Sequence, residues 1–378
     1  MERPIFKDIG TQEIELDTPG LMIDLDFLEY NLNYMNTFIE SKGLNVKPYV
    51  GAHGSPAIAH KQVEYSSTSG ITVSTLGQAE VFAQNGLNDI FISNIIYNKS
   101  KIKRLCSLAK NVNITLLVDN LSNAQDLSDA AKFSGVEINI LLVIRCYEDS
   151  LGVLPGTEAQ EICNNLVNLP GVNFQGLFGK YINNYVSESG PEDNSYNVSE
   201  FNKKNKESVE FAQKILNFRE QIQINGIDVN SVVYGSTYDY LDVASLSGIT
   251  DIVAGSYALM DAKYKALRTE FKNAARVMTC VTSLPTSKTI ITDGGRKAIG
   301  GDLGSPEASI KGAIVTGLSA EHGNIEFEWE NENLKLGDRI WCIPYDITAC
   351  VNLHDYMFGI RGGTLESIWN LPARGHYR

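Results

Sequence analysis

The sequence contains no CxxC pair, no apolar run long enough to span a bilayer and no secretory signal pattern at its start. Its six cysteines are scattered, which predicts reduced thiols without a disulfide framework. A membrane-spanning helix needs about 20 apolar residues, and the opening residues MERPIFKDIG lack a basic segment followed by an apolar stretch. These absences predict a cytoplasmic protein without a membrane partner.

Basic residues are also in deficit. The chain has 32 Lys and Arg against 45 Asp and Glu, and its net charge is −13. Proteins that bind nucleic acid or anionic membranes usually present positive charge to the phosphates. The charge balance therefore argues against both kinds of partner.

Short β-branched runs recur along the chain, separated by amphipathic segments with apolar residues three and four apart. Near-continuous apolar strands that alternate with helices predict a parallel sheet covered by helices. Eight such repeats match a (β/α)8 TIM-type barrel, an α/β fold. The eight runs are Val46–Val50, Ile71–Thr75, Asp89–Asn94, Ile114–Asp119, Ile138–Ile144, Phe174–Gly179, Ser231–Gly235 and Asp251–Gly255.

The sequence pattern changes after about Tyr264. Runs such as NIEFEWE and DRIWCIPYD alternate with Gly, Asn and Asp turns, which predicts a C-terminal antiparallel β domain. A chain of 378 residues suggests two domains, and we predict a barrel of residues 18–265 and a β domain of residues 1–17 plus 266–378. A polar insertion, Ile182–Glu200, is compatible with either a lid or a mobile loop.

Two small-residue clusters stand at the ends of the last two predicted barrel strands, where barrels of this kind carry their active sites. Glycine lets the backbone approach a ligand, and N–H and hydroxyl groups at a helix start can donate to an anion. The pair of clusters predicts a phosphate site, and the alternative is that each glycine marks only a tight turn. The residues are Gly235, Ser236, Thr237, Gly255, Ser256 and Tyr257.

Longer motifs follow one another in a characteristic order from about residue 14 onward. They include DTPGLMIDLDFLEYNL, GITVSTLGQAEVFAQNGLNDIFISN, GSYALMD, ITDGGRKAIGGDLG and VNLHD. These motifs resemble the D-threonine aldolase and D-serine dehydratase family, which belongs to the alanine-racemase-like, fold type III pyridoxal-phosphate enzymes. The resemblance implies an amino-acid-like substrate, pyridoxal phosphate, a divalent metal and a homodimer.

The first barrel strand of that family reads like RPHAKTHKSP, in which the lysine forms a Schiff base with the cofactor. The corresponding stretch here is KPYVGAHGSP, so Gly51 stands in place of the lysine, while His53 matches. Glycine supplies no amine for the covalent capture of an aldehyde. The resemblance predicts that His53 lines the pocket, and a structural histidine is the alternative.

Three further signature positions differ. Ser150 stands where the family has an arginine facing the cofactor ring, and Arg145 lies a few residues earlier. Lys180 occupies the place of a histidine, and the sequence Asp346-Ile347-Thr348 replaces the family's His-x-Cys or His-x-Asp metal pair. His322 is the other family position near that metal, so Asp346 with His322 is the predicted metal site.

The replacements introduce an amine, a guanidinium and a carboxylate near one cavity, which costs desolvation unless they pair with each other or with a ligand. We therefore predict a divergent amino-acid lyase of aldolase or dehydratase type with Lys180, His53 and Arg145 as catalytic residues. It would bind pyridoxal phosphate noncovalently, or the cofactor's amino-acid adduct. The alternative function is a noncatalytic ligand-binding or regulatory homologue. Lys180 could act as a relocated Schiff-base lysine, as a general base, or as the structural partner of Asp346 or Asp119 in a salt bridge.

Overall fold

The computed structural model of the chain describes residues 7–65, 70–146, 150–181, 198–331 and 333–378. The predicted lid or mobile loop, Ile182–Glu200, falls almost entirely on residues 182–197, which lie outside the described residues. Within the described ranges, no helix combines the length and the hydropathy needed to cross a bilayer.

The strands and helices alternate through the first two thirds of the chain. The strands are β1 (Gly20–Asp24), β2 (Asn45–Pro48), β3 (Ile71–Val73), β4 (Asp89–Ile95), β5 (Asn113–Val118), β6 (Ile138–Ile144), β7 (Val172–Gly179), β8 (Ser231–Val233), β9 (Asp251–Ala254), β10 (Ala275–Thr286), β11 (Thr289–Thr292), β12 (Glu307–Ala308), β13 (Ala313–Leu318), β14 (Gly323–Phe327), β15 (Arg339–Ile343), β16 (Tyr356–Arg361) and β17 (Thr364–Asn370). The helices are α1 (Leu25–Ser41), α2 (Pro56–Tyr65), α3 (Leu76–Gln84), α4 (Lys99–Leu108), α5 (Leu121–Ser134), α6 (Thr157–Leu166), α7 (Val198–Ile224), α8 (Tyr240–Val243), α9 (Ala262–Lys265), α10 (Arg296–Ile299) and α11 (Ile347–Val351).

Eight parallel strands form the barrel in the order β2-β9-β8-β7-β6-β5-β4-β3. A bridge between Tyr49 and Thr72 joins the two ends of this sheet and nearly closes it. The barrel encloses a packed apolar cluster, in which the rings of Phe91 and Phe178 meet edge to face with centroids 5.6 Å apart. The predicted barrel and its eight strands are confirmed.

Local sequence signals explain where the outer helices begin and end. Helix α5 begins after Asn120, whose side-chain oxygen accepts the N–H of Asn123 at 2.8 Å. It ends at Gly135, which has φ +66°. Such caps satisfy backbone groups that the helix itself leaves without partners.

The second sheet contains the β domain and runs β13-β14-β11-β10-β1-β16-β17, with β15 paired to β10 and β12. Its pairings are antiparallel apart from β1 and β16, which run parallel. The strand Gly20–Asp24, which the predicted division assigns to the barrel, therefore lies in the β domain. The alternation of apolar residues identifies a strand without saying which sheet it joins, and this explains the displaced boundary.

Candidate active site

A cavity of 480 Å³ opens at the C-terminal ends of the barrel strands, which is where this fold places its active sites. Its volume lies within the range of small-molecule sites. The predicted site residues that line it are Arg145, Lys180, Gly235, Ser236, Thr237, Gly255 and Ser256. Other parts of the wall come from Tyr49, Ser74, Asn94, Ser150, Tyr181 and Tyr264.

Two cations stand on neighbouring strand ends of this cavity. Arg145 directly follows β6 and Lys180 directly follows β7, and these two strands pair in parallel. Among the lining residues that the structure describes, they are the charged ones. In a protein of net charge −13, the described part of the wall thus presents two basic side chains, which suit an anionic group such as a carboxylate.

The Lys180 side chain is exposed to the solvent of the open cavity. Protein atoms nevertheless surround its amine, and the resulting desolvation lowers the pKa of Lys180, while the charge of Asp239 acts in the opposite direction. Asp239, rather than Asp119 or Asp346, thus supplies the carboxylate that acts on the amine. A lowered pKa increases the neutral fraction of a lysine, which is the form that attacks carbonyl carbons and accepts protons.

Asp239 lies directly behind the first small-residue turn and is only 1% exposed. Its Oδ1 accepts the backbone N–H of Ser236 at 2.7 Å and the Ser236 hydroxyl at 2.9 Å. Its Oδ2 accepts the hydroxyl of Ser208, which lies 2.8 Å from the Tyr234 hydroxyl. Burial raises the pKa of Asp239, and the hydrogen bonds from Ser208 and Ser236 oppose that rise. Two donors predicted to hold a phosphate therefore already hold a carboxylate.

The second turn is also engaged within the protein. The N–H of Tyr257 donates to the Thr237 hydroxyl at 3.2 Å, and the Tyr257 phenol, itself 2% exposed, accepts from Gln62 at 3.1 Å. In the first turn, Gly235 has φ +98°, a conformation that favours glycine. These features fit the alternative interpretation, in which each glycine marks a tight turn.

Gly51 lies in a short 3₁₀ turn just after β2. A Cβ atom added to Gly51 would lie 2.5 Å from both the Cζ atom and the hydroxyl oxygen of Tyr49, closer than side chains pack. The Tyr49 and Ser74 hydroxyls are 2.6 Å apart, and this hydrogen bond holds the ring in place. The ring of Tyr49 therefore fills the space in which a side chain at position 51 would begin.

Position 51 and the first small-residue turn determine whether pyridoxal phosphate fits the residues present. Position 51 has no amine and, with Tyr49 in place, no room for one. The first turn directs the Ser236 donors at Asp239 instead of at a ligand. The residues therefore do not fit the cofactor in the covalent, phosphate-anchored mode that the family resemblance implies.

His53 is fully buried and is not among the residues that line the cavity. Its Nδ1 accepts the N–H of Ser55 at 3.1 Å, so the proton resides on Nε2, which donates to Gln62 at 2.9 Å. Burial lowers the pKa of His53 to about 4. The imidazole is therefore neutral and fully hydrogen-bonded, which fits the structural alternative, and a catalytic role of His53 stays a prediction.

The predicted metal pair receives little support from the structure. Asp346 begins α11 and accepts the N–H of Ala349 at 2.9 Å, whereas the exposed His322 lies in the turn between β13 and β14. Burial, together with the negative charge of Asp346, raises the pKa of another carboxyl group of the chain, that of Asp261, to about 7. Within the described part of the chain, no group of three or more His, Cys, Asp or Glu side chains is placed to hold a metal.

Sequence reasoning missed two residues that shape this site, Asp239 and Tyr49. A signal for Asp239 was present, because Ser236-x-x-Asp239 has the spacing of a capping box, in which the acidic residue reaches back to the N–H of the first. No local signal existed for Tyr49. The position of its ring depends on Ser74, which belongs to the next strand-to-helix connection.

Two family models match the chain and together cover most of it. The alanine racemase N-terminal domain model matches residues 23–235, more than half of the chain. A serine dehydratase domain model matches residues 274–360. The first match covers the barrel strands up to the turn at Gly235, and the second lies in the β domain.

Individual relatives are aldolases. The chain is 28% identical to 3-hydroxy-D-aspartate aldolase of Paracoccus denitrificans over 97% of this chain and 94% of that protein. It is 28% identical to D-threonine aldolase of an Arthrobacter species over 98% of this chain and 96% of that protein. The crystal structure of D-threonine aldolase from Filomicrobium marinum matches with a TM-score of 0.88 at 26% identity, over 98% of this chain and 99% of that one. The two aldolases that the chain matches over nearly its whole length are lyases, and the chain belongs to the alanine-racemase-like family of fold type III enzymes.

Proposed function

We propose that this protein is a lyase of aldolase type that uses the Lys180 amine on a small 4-hydroxy-2-oxo acid, whose hydroxyl group lies on the second carbon beyond the carbonyl carbon. The proposal depends on one observation: Lys180 and Arg145 both lie in the wall of a single cavity at the C-terminal ends of the barrel strands. Desolvation favours the neutral, nucleophilic form of the amine. The aldolases among the relatives support the cleavage of a carbon–carbon bond.

The chemistry follows from what a free amine can do. The Lys180 amine adds to the carbonyl carbon, and loss of water gives an imine. When the proton of the hydroxyl group on C4 leaves, the bond between C3 and C4 breaks and an aldehyde departs. The electron pair of that bond forms the double bond between C2 and C3, and the imine electrons move to the nitrogen, which gives an enamine. Protonation and hydrolysis of the resulting enamine return the amine and release the second product. Arg145 would hold the substrate carboxylate.

The same reasoning moves the substrate from amino acids to oxo acids. An amino acid has no ketone or aldehyde carbon for Lys180 to attack, and its cleavage would need another group to accept the electron pair. Position 51 cannot hold the family's cofactor for this purpose. The substrate would keep the carboxylate of 3-hydroxy-D-aspartate and D-threonine, after which the relatives are named, and would carry its hydroxyl group one carbon further away, because the imine accepts the electron pair only from the bond between C3 and C4.

Borohydride trapping tests the proposal. The protein is incubated with glyoxylate or pyruvate and reduced, and peptide mapping should find one adduct, on Lys180. Lys180→Met, which keeps the side-chain length without the amine, should abolish the adduct. Lys335→Met, at an exposed lysine of the β domain, should leave it unchanged. The absence of a Lys180 adduct with both acids would reject the nucleophilic role.

A parallel incubation with pyridoxal phosphate tests the predicted use of that cofactor. Its absorption spectrum before and after borohydride distinguishes free aldehyde from a reducible adduct. A reducible adduct on Lys180 with the cofactor, and none with the oxo acids, would favour a relocated cofactor lysine over the present proposal. Noncovalent cofactor binding, a divalent metal, a homodimer and a cytoplasmic location stay predictions.

One observation favours a second candidate, a noncatalytic ligand-binding homologue. The ring of Tyr49 occupies the space at Gly51, which is what a pocket kept for binding alone would tolerate. Calorimetry with glyoxylate and pyruvate, beside the trapping experiment, separates the candidates. Binding of either acid without a trapped adduct on Lys180 would support this second candidate.

A further inference from the structure

We infer that the Asp239 carboxylate occupies the donors of the first turn that a ligand phosphate would use. The cavity therefore binds ligands that carry a carboxylate and no phosphate group. The inference rests on the proposed function only in placing the ligand in the same cavity. It names a class of ligand that the site excludes, phosphorylated compounds including pyridoxal phosphate. It also assigns that exclusion to a single side chain.

The first step of the argument is the competition for donors. The Ser236 hydroxyl and N–H are the groups of the first turn that point to Asp239 Oδ1, at 2.9 and 2.7 Å. Ser236 itself lines the cavity, so a phosphate at this turn would need the same donors. It would also stand beside a buried carboxylate of like charge, which is unfavourable in a poorly solvated site.

The second step concerns the other carboxylate oxygen of Asp239, which is hydrogen-bonded inside the protein. Its Oδ2 accepts the hydroxyl of Ser208 on α7, and both Ser208 and the neighbouring Tyr234 are fully buried. A phosphate that displaced Asp239 from Ser236 would leave a buried carboxylate oxygen without its two donors. Leaving a buried charged group without partners is more costly than breaking the same bonds at a surface.

The third step concerns Lys180. The carboxylate of Asp239 already acts on the Lys180 amine from within the protein. A ligand phosphate is therefore not needed to balance the positive charge of the protonated Lys180 amine. The carboxylate of the ligand is left to the open part of the cavity, where Arg145 also lies.

Calorimetry with pyridoxamine and pyridoxamine phosphate tests the inference. These compounds lack an aldehyde, so they report binding without reaction at lysines. For the wild-type protein we expect the phosphate to improve affinity by less than about threefold, and inorganic phosphate to leave pyridoxamine binding unchanged. A preference of about tenfold or more for the phosphorylated compound in the wild-type protein would overturn the inference.

Variants identify the side chain responsible. Asp239→Ser removes the carboxylate and frees the Ser236 donors, so a phosphate preference of about tenfold or more should appear. Asp239→Asn keeps the turn filled by a neutral group of the same shape and should show no such gain. Asp242→Ser, at an exposed aspartate three residues further on, is the matched control.

The outcomes separate this inference from the proposed function. An Asp239→Ser variant that melts like the wild-type protein yet shows no phosphate preference overturns the role of Asp239. If that variant does not fold, the wild-type comparison alone still decides whether phosphate is excluded. Failure of oxo-acid trapping at Lys180 would reject the proposed reaction and leave the phosphate measurements unaffected.

Discussion

The end of β2 and the end of β7 differ from the family pattern in opposite ways. At the end of β2, the reactive position is Gly51, the ring of Tyr49 fills the space, and a neutral His53 lies buried behind it. At the end of β7, Lys180 brings an amine to the cavity, with Asp239 close enough to influence its charge. One strand end has lost its amine, and the other has gained one.

The difference illustrates that the strand ends of a barrel can carry different side chains on the same scaffold. Every strand of a (β/α)8 barrel ends at the same face, so a side chain can leave one strand end and another can enter the cavity from a different one. At the end of β2, the Tyr49 ring fills the space next to Gly51. Burying this neutral ring carries no free-energy cost for desolvating a charge. At the end of β7, the positive charge of a protonated Lys180 needs a negative charge nearby, and Asp239 supplies it.

The largest expected effect concerns the amine at the end of β7. Lys180→Arg keeps a positive charge but cannot form an imine, because guanidinium remains protonated. We expect the rate of adduct formation with glyoxylate to fall by about a thousandfold or more, equivalent to about 4 kcal/mol. The measurement is the rate of adduct formation, followed by mass spectrometry. A rate close to that of the wild-type protein would show that Lys180 contributes charge and no nucleophile.

The next effect concerns His53, behind the end of β2. Its pKa is lowered from 6.5 to about 4 in the folded state, so the unfolded chain binds more protons between these values. The contribution of His53 to stability is complete above the unfolded pKa and is lost as pH falls toward 4. The full difference is on the order of 3 kcal/mol.

Urea unfolding at about pH 7 and about pH 4.5 measures this dependence. In His53→Asn the amide oxygen can still accept the Ser55 N–H, and the titrating ring is gone. The loss of unfolding free energy on acidification should be smaller in the variant than in the wild-type protein. Equal losses in both would mean that His53 is protonated in the folded state as readily as in the unfolded chain.

A smaller effect is expected at Gly51 itself. Gly51→Ala places a Cβ against the Tyr49 ring and should lower the free energy of unfolding by about 1–2 kcal/mol, as in other overpacked sites. Gly317→Ala is the control, because a Cβ at that position meets nothing within 4 Å. Combining Gly51→Ala with Tyr49→Ala should cost less than the sum of the two single changes. Strict additivity would show that the ring does not occupy the space at Gly51.

The smallest effect is a shift in pH dependence at the end of β7. The charge of Asp239 raises the pKa of Lys180 against the lowering by desolvation, so Asp239→Asn removes the raising influence. The neutral amine then forms at lower pH, and the rising limb of the pH profile for glyoxylate trapping should move to lower pH. A limb that stays in place would separate Asp239 from Lys180, and a limb that moves upward would contradict the sign of this interaction.

Much of the fold could be predicted because its signals are local. The eight barrel strands follow from short apolar runs and intervening helical periodicity, and each run lies within a few residues of the observed strand. Strand β1 could not be assigned in this way, because its partners β10 and β16 lie far along the chain. The site was predicted in part. Lys180 and Arg145 line the cavity as expected, whereas His53 does not.

The sequence by itself determined the barrel, the family and the absence of an amine at position 51, since periodicity and motif order are properties of the chain alone. Only the tertiary structure decided that Ser208 on α7 meets Asp239, and that the ring of Tyr49 covers Gly51. These outcomes depend on which side chains from separate elements meet and on how little water reaches them. Desolvation and donor competition act between elements, so no local pattern of residues encodes them.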